Sequence, residues 1–189
     1  MATYINSLIH QFEPLITLAE AKQQLKLEAS WTSEDDLLQQ YIDAAIITAE
    51  NYTQISINEA KFEIKTTEFT NNLKIKLSPI TAIDSIVYVD ENGDDQTLDA
   101  VEYELRNFDN YQQEVFYKNE ADLPKLSKTE ATPVTINITT GYAAPAEMPR
   151  PIKQACLLMI TSFYEKREDS VENLPKASTN LLRAYRYYY

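Results

Sequence analysis

One histidine, His10, and one cysteine, Cys156, are the chain's whole supply of imidazole and thiol. A histidine base or a zinc site needs a second imidazole, a thiolate pair or an orienting acid, and no spacing supplies one, so His10 reads as an ordinary polar position. Cys156 falls on the apolar side of a helical pattern, where a small buried thiol is far commoner than a nucleophile, and a lone cysteine forms no internal disulfide. Carboxylates are plentiful, 29 against 17 Lys and Arg, and two clusters invite a metal reading. In Asp90-Glu-Asn-Gly-Asp-Asp95 the sixth and twelfth positions, which a calcium loop fills with glycine and glutamate, are Asp95 and Val101; the stretch reads as a charged hairpin tip. Ser33-Glu-Asp-Asp36 reads as a helix start, with a hydroxyl cap and three carboxylates facing the positive end of the dipole. With only Gly93 and Gly141 in the chain, no glycine loop can cradle a phosphate. No spacing singles out a carboxylate pair for acid–base work. The sequence therefore assigns no catalytic, cofactor-binding or metal-binding residue, and the expectation is a protein that is not an enzyme and takes no cofactor.

The chemistry that remains is recognition, and it is concentrated at the C-terminus, Arg183-Ala-Tyr-Arg-Tyr-Tyr-Tyr189. Tyrosine and arginine give large contact area and planar hydrogen bonding at interfaces. Three readings stay open: a strap on the protein's own body, a docking segment for another subunit or partner, and a base-stacking surface for single-stranded nucleic acid. The docking reading makes Leu181, Leu182, Arg183, Tyr185, Arg186, Tyr187, Tyr188 and Tyr189 the candidate partner-binding residues. A net charge of −12 disfavours the nucleic-acid reading, because phosphate binding needs clustered cations. That sum hides an asymmetry: residues 1–149 carry 10 basic and 25 acidic side chains, whereas residues 150–189 carry 7 and 4. Oppositely charged halves can steer a chain into a head-to-tail or ring contact, although a solvated face explains the same charges.

The elements that must carry this tail follow from periodicity. At 189 residues the chain can bury roughly 70% of its unfolded surface. A hydrophobic content of 44% excludes wholesale disorder, and no apolar run approaches the roughly 20 residues of a membrane span. Met1–Gln11 lacks a basic and a long apolar region, so no secretory signal is read there and cytoplasmic synthesis is expected. Met1–Pro14 has no strong periodicity and reads as an arm. Thr17-Leu-Ala-Glu20 is a capping box opening a helix to about Leu25, with Leu18, Ala21 and Leu25 as its apolar stripe. A second helix over 34–52 presents Leu38, Tyr41, Ile42, Ala45, Ala49 and Tyr52 on one face. The stretch from Pro149 to Glu168 is the principal helix: Pro149 and Pro151 suit its entrance. Ile152, Cys156, Leu157, Met159, Ile160, Phe163 and Tyr164 cover a wide arc that packs on more than one side.

From Ala60 the period changes to 2. Phe62, Ile64 and Thr66 alternate with charged neighbours, as do Leu73, Ile75 and Leu77. SIVYVD over 85–90 leads into Asn92-Gly93, a tight hairpin pair with both central residues at positive φ. Short strands fit 102–106, 114–117 and 133–140, with a loop from Lys118 to Thr132. After the principal helix, 169–177 reads as an exposed linker, and Ser178 as the cap of a last short helix.

The order of these pieces resembles the head–tail connector proteins of tailed double-stranded-DNA phages, also called adaptor or head-completion proteins, which have relatives in gene transfer agents. The resemblance rests on Ile16-Thr-Leu-Ala-Glu-Ala-Lys22 through Leu27, Glu34-Asp-Asp36, Ala44-Ala45 and Ala49-Glu-Asn-Tyr52. It continues through Pro79-Ile80, Ser85 to Asp90 with Asn92-Gly93, Tyr103, Thr140-Gly-Tyr142, Met148-Pro149, Ile152 to Ala155 and Phe163 to Glu168, covering nearly all of 15–186. Relatives often turn with a glycine after the position of Thr53, which this chain lacks, and the Tyr-rich end has no counterpart in the pattern. The resemblance implies a structural virion protein in the neck, without catalytic activity. It implies a ring, commonly of twelve subunits, beneath the portal protein, which extends the channel for passing double-stranded DNA and offers a platform to the next connector or tail protein. The implied fold is α+β: a helical bundle over 1–58 and 148–189, ending in the docking tail, with an antiparallel β-rich insertion over 59–147. A tail-completion ring elsewhere in the neck or tail, and a freestanding binding module carried by the β region, are the competing readings.

Overall fold

The computed structural model describes residues 3–9, 14–71, 73–75, 77–108, 113–166 and 176–187. His10, Lys76, Arg167, Glu168, the linker over 169–175, Tyr188 and Tyr189 lie outside these described residues. The chain is α+β, with four α-helices and antiparallel sheets among the described residues. It divides into two compact units, one of Met1–Gln11 with Glu59–Gly141 and one of Phe12–Asn58 with Tyr142–Tyr189.

The first unit holds two sheets. The larger runs β1 (Thr3–Ile9), β2 (Ala60–Thr66), β8 (Val134–Thr140), β4 (Ile80–Val89) and β5 (Asp95–Thr97) in that spatial order, and the smaller runs β3 (Leu73–Lys74), β7 (Gln113–Tyr117) and β6 (Tyr103–Asn107). The expected arm at the N-terminus is corrected here: Thr3–Ile9 is an edge strand, paired antiparallel with β2 from Thr3↔Thr66 to Ile9↔Lys61. TYINSLI lacks a charged alternation to betray it, and its regularity comes from the β2 ladder rather than from its own pattern. Ile64, Ile86, Val134, Ile136 and Ile138 turn inward and meet Leu73, Tyr103, Val115 and Tyr117 in one core. The period-2 reading of 60–66 thus places its buried side chains, Ile64 and Thr66, correctly.

Two side-chain amides join the smaller sheet to its surroundings. Asn71 accepts the Tyr117 N–H at 2.6 Å and donates to the Tyr117 carbonyl at 3.2 Å. Gln113 does the same for Ile80, accepting its N–H and donating to its carbonyl at 2.8 Å. Each amide satisfies the two ladder groups that a neighbouring strand would otherwise pair.

The turn after β4 differs from the expected two-residue type. Gly93 donates to the Asp90 carbonyl at 3.1 Å and Asp90 to the Asp94 carbonyl at 3.0 Å, so three residues lie between the paired positions. Only Gly93, at φ +90°, takes the left-handed conformation; Asn92 does not. This is the three-residue loop with glycine at its left-handed position. The Asp90 carboxylate accepts the N–H groups of Asn92 and Asp94 at 2.8 and 3.1 Å, which gives it a local structural task.

In the second unit α1 (Leu18–Leu25) starts as the capping box requires. Glu20 donates its N–H to the Thr17 hydroxyl at 3.2 Å, and its carboxylate accepts the Thr17 N–H at 3.0 Å. α2 (Asp35–Thr53) begins later than Ser33 suggests: its N-cap is Glu34, which makes no side-chain capping bond. Asp35 is engaged elsewhere, in an ion pair of 2.6 Å with Lys22. Lys22 is itself buried, at 6% exposure, and donates to the Ala29 carbonyl at 3.4 Å. Leu38, Ile42, Ala45, Ile46 and Ala49 form the buried side of α2. α3 (Arg150–Glu165) ends three residues before the expected Glu168 and buries Ile152, Ala155, Cys156, Met159 and Ile160. Its contacts with α2 are the most extensive between helices, and Tyr41 meets Phe163 at a ring separation of 6.2 Å. α1 also reaches α3, through Lys153 to Glu20 at 2.5 Å and Gln24 to Thr161 at 3.3 Å.

Candidate docking site

The candidate partner-binding tail grows out of α4 (Lys176–Leu182), which continues as a short 3₁₀ turn over Arg183–Tyr185. Ser178 is not its cap, as the sequence suggested: the helix already includes Lys176 and Ala177, and Ser178 sits buried inside it. Among the described residues the Ser178 hydroxyl has no hydrogen-bond partner. Leu182 is fully buried and anchors α4, which packs mainly on α3.

Beyond Leu182 the chain lies along the end of α2. The Tyr187 N–H donates to the Thr53 carbonyl at 2.7 Å. The Arg186 guanidinium sits 5.3 Å from the centre of the Tyr52 ring. Both contacts fall where α2 leaves carbonyls without helical partners and where its dipole favours a cation. The described tail is therefore a strap on its own unit, the first of the three readings. It still shows Arg183 and Arg186 to solvent, with Tyr185 and Tyr187 half-exposed and Leu181 partly covered. The tail thus brings Arg183, Tyr185, Arg186 and Tyr187 into one surface stretch, while Leu182 serves the core.

The end of α2 that receives the strap is built around residues the sequence reading used only as pattern. Gln54, at φ +60°, takes the left-handed position, and its N–H returns to the Glu50 carbonyl at 2.7 Å. The Glu50 carboxylate accepts the N–H groups of Ile57 and Asn58, at 2.7 and 3.1 Å, and so holds the turn that follows. The spacing of an acid seven and eight residues before two backbone donors has no sequence signature, which is why it passed unseen. Thr53 is buried and gives its own hydroxyl proton to the Ala49 carbonyl at 2.7 Å, leaving its carbonyl for Tyr187.

Cys156 is buried at the centre of α3, with its Sγ 3.9 Å from the Ala45 carbonyl. Burial, with the nearby Glu50 charge adding to it, pushes its thiol up to about 12. It is a packing residue without the depressed pKa that a thiolate nucleophile requires. Among the described residues no group of three or more His, Cys, Asp or Glu is placed to hold a metal ion, and no helix is long and apolar enough to cross a membrane.

This fold is similar to that of chains in solved particles. A chain from the neck of an empty gene transfer agent particle, with C6 symmetry, matches at a TM-score of 0.77 and 22% identity, over 97% of this chain and 95% of that one. A chain from the virion of a native gene transfer agent particle matches at 0.77 and 22%, over 96% and 94%. One from the neck of a native particle with C12 symmetry matches at 0.68 and 22%, over 97% and 94%. No curated protein matches. The family described as Phage gp6-like head-tail connector protein matches residues 15–126, and the chain belongs to that family. It is a family of structural connectors.

Proposed function

We propose that this chain is a neck protein that forms a ring beneath the portal, extends the channel through which double-stranded DNA passes, and presents a platform to the next connector or tail protein. Membership of the head–tail connector family over residues 15–126 carries the reading. The likeness to chains from gene transfer agent necks, solved with C6 and C12 symmetry, supports a ring in the virion neck. In this reading α1, α2 and α3 form the bundle that makes the ring body, and the β-rich unit is its insertion. An acidic chain suits a channel wall along which DNA slides, since it offers phosphates few cations. The end of the tail, from Tyr185 to Tyr189, docks on the portal.

Density-gradient co-sedimentation with the portal ring of the same genome tests this. Co-migration near one chain per portal subunit is expected, and removal of Tyr185 to Tyr189 abolishes it without changing the circular dichroism of the chain. A folded chain that stays at the top of the gradient while the portal ring remains intact rules the portal position out.

A further inference from the structure

The helical unit presents two surfaces of opposite charge to solvent. α2 carries no Lys or Arg, and of its four acids Asp36 and Asp43 face solvent, while Asp35 is paired with Lys22 and Glu50 with the Ile57 and Asn58 N–H groups. Its core stripe leaves the opposite side to water, where Asp36, Asp43, Ala44, Ile47 and Asn51 are exposed. Ile47, at the middle of that side, is 55% exposed. An apolar side chain so placed, beside a small Ala44, allows another helix to approach closely and gains from being covered. The complementary surface is α4 with the turn that continues it. Residues 176–183 contain Lys176 and Arg183 and no acid. Lys176, Asn180 and Arg183 fall on the exposed side of α4, away from buried Ser178 and Leu182.

We infer that these two surfaces meet between neighbouring copies of this chain, the outer side of α2 on one copy covered by the exposed side of α4 on the next. The occupant follows from the charge: a helix of acids alone is matched by a segment of bases alone on the same molecule. Because the surface and its counterpart differ, the contact is head-to-tail, which closes rings rather than pairing two copies about a twofold axis. Exposed ion pairs are individually weak, and closure makes each later contact effectively intramolecular. The inference rests on the ring reading above and assigns its subunit contact.

The test uses the full chain co-expressed with its portal, so that the ring forms where it is needed. Ile47→Cys with Asn180→Cys places one thiol at the centre of each surface, and buried Cys156 stays out of the chemistry. Oxidised complexes from this double variant give a ladder of covalent multimers on non-reducing gels, while neither single variant gives more than a monomer band. Charge exchange supplies a second readout. Asp36→Lys with Asp43→Lys, or Lys176→Glu with Arg183→Glu, lowers incorporation at least about tenfold when expressed alone, and mixing the two variants restores it, since every contact in an alternating ring is again attractive. If the wild-type chain enters the complex but the cysteine pair gives no ladder, or the thiol introduced on α2 links to a different protein, the α2–α4 contact is wrong while the ring reading stands. A wild-type chain absent from the complex overturns both.

Discussion

Arg186 lies over Tyr52, its guanidinium 5.3 Å from the ring centre, and the next residue hands its N–H to the next carbonyl, Tyr187 to Thr53 at 2.7 Å. The two contacts are in step, so that the tail runs alongside the last residues of α2 for at least two positions. A cation over an aromatic face at an accessible site contributes about 0.5–1 kcal/mol. Tyr52→Ala should therefore loosen the strap without unfolding the helix. Amide exchange at Tyr187 should quicken several-fold while the amides in the middle of α2 keep their protection; equal acceleration at both would show that the ring of Tyr52 supports the helix itself.

The turn after α2 depends on Glu50. Its carboxylate accepts two backbone N–H groups, those of Ile57 and Asn58, and hydrogen bonds to a charged acceptor are stronger than neutral ones. Glu50→Ala leaves those donors without their acceptor and should cost about 2 kcal/mol. Glu50→Gln keeps an acceptor and should cost less than half as much. Urea unfolding of the two variants measures the difference, and equal losses would mean that the carboxylate matters for packing rather than for its bonds.

A pH dependence follows from Glu20. Partial burial raises its pKa, but the hydrogen bond from Lys153, the Thr17 N–H and the Lys153 charge outweigh it, and the carboxyl lies below its ordinary value of 4.5. A group depressed in the folded state contributes stability above its unfolded pKa and loses that contribution as pH falls through the folded value. Thermal stability should fall as pH drops below about 4.5, and part of that fall should vanish in Glu20→Gln. A variant that melts in parallel with the wild type from pH 6 to 3 would assign acid sensitivity to other carboxylates.

Cys156 gives a native-state probe that needs no engineering. With its thiol pushed up to about 12 by burial and by the Glu50 charge, it should resist iodoacetamide at pH 8 for as long as the helices stay packed. It should react at the rate of a free thiol in denaturant. Rapid labelling of folded protein would require α3 to open far more readily than its buried side chains imply.

Thr17 and Glu20 announced α1 because a capping box is a local exchange of two hydrogen bonds, and the alternation of Phe62, Ile64 and Thr66 announced β2 because one side of that strand faces the core. β1 was missed because TYINSLI carries no such alternation and owes its form to a strand more than fifty residues away. Ser33 and Ser178 misled for the same reason as each other: a serine near a helix start is a local signal, and distant groups moved the starts. Asp35 is paired with buried Lys22, and Ser178 is buried inside α4. The strap was one of three readings that the tyrosines and arginines of the tail left open. Its seat on Thr53 was not legible, since a backbone carbonyl leaves no mark on the sequence.

The chain passes between its two compact units three times, near 11–12, 58–59 and 141–142. Neither unit can be cut from the other by severing one peptide bond. The first strand belongs to the β-rich unit and the last helix to the helical one, so a label at each end of the polypeptide addresses a different unit.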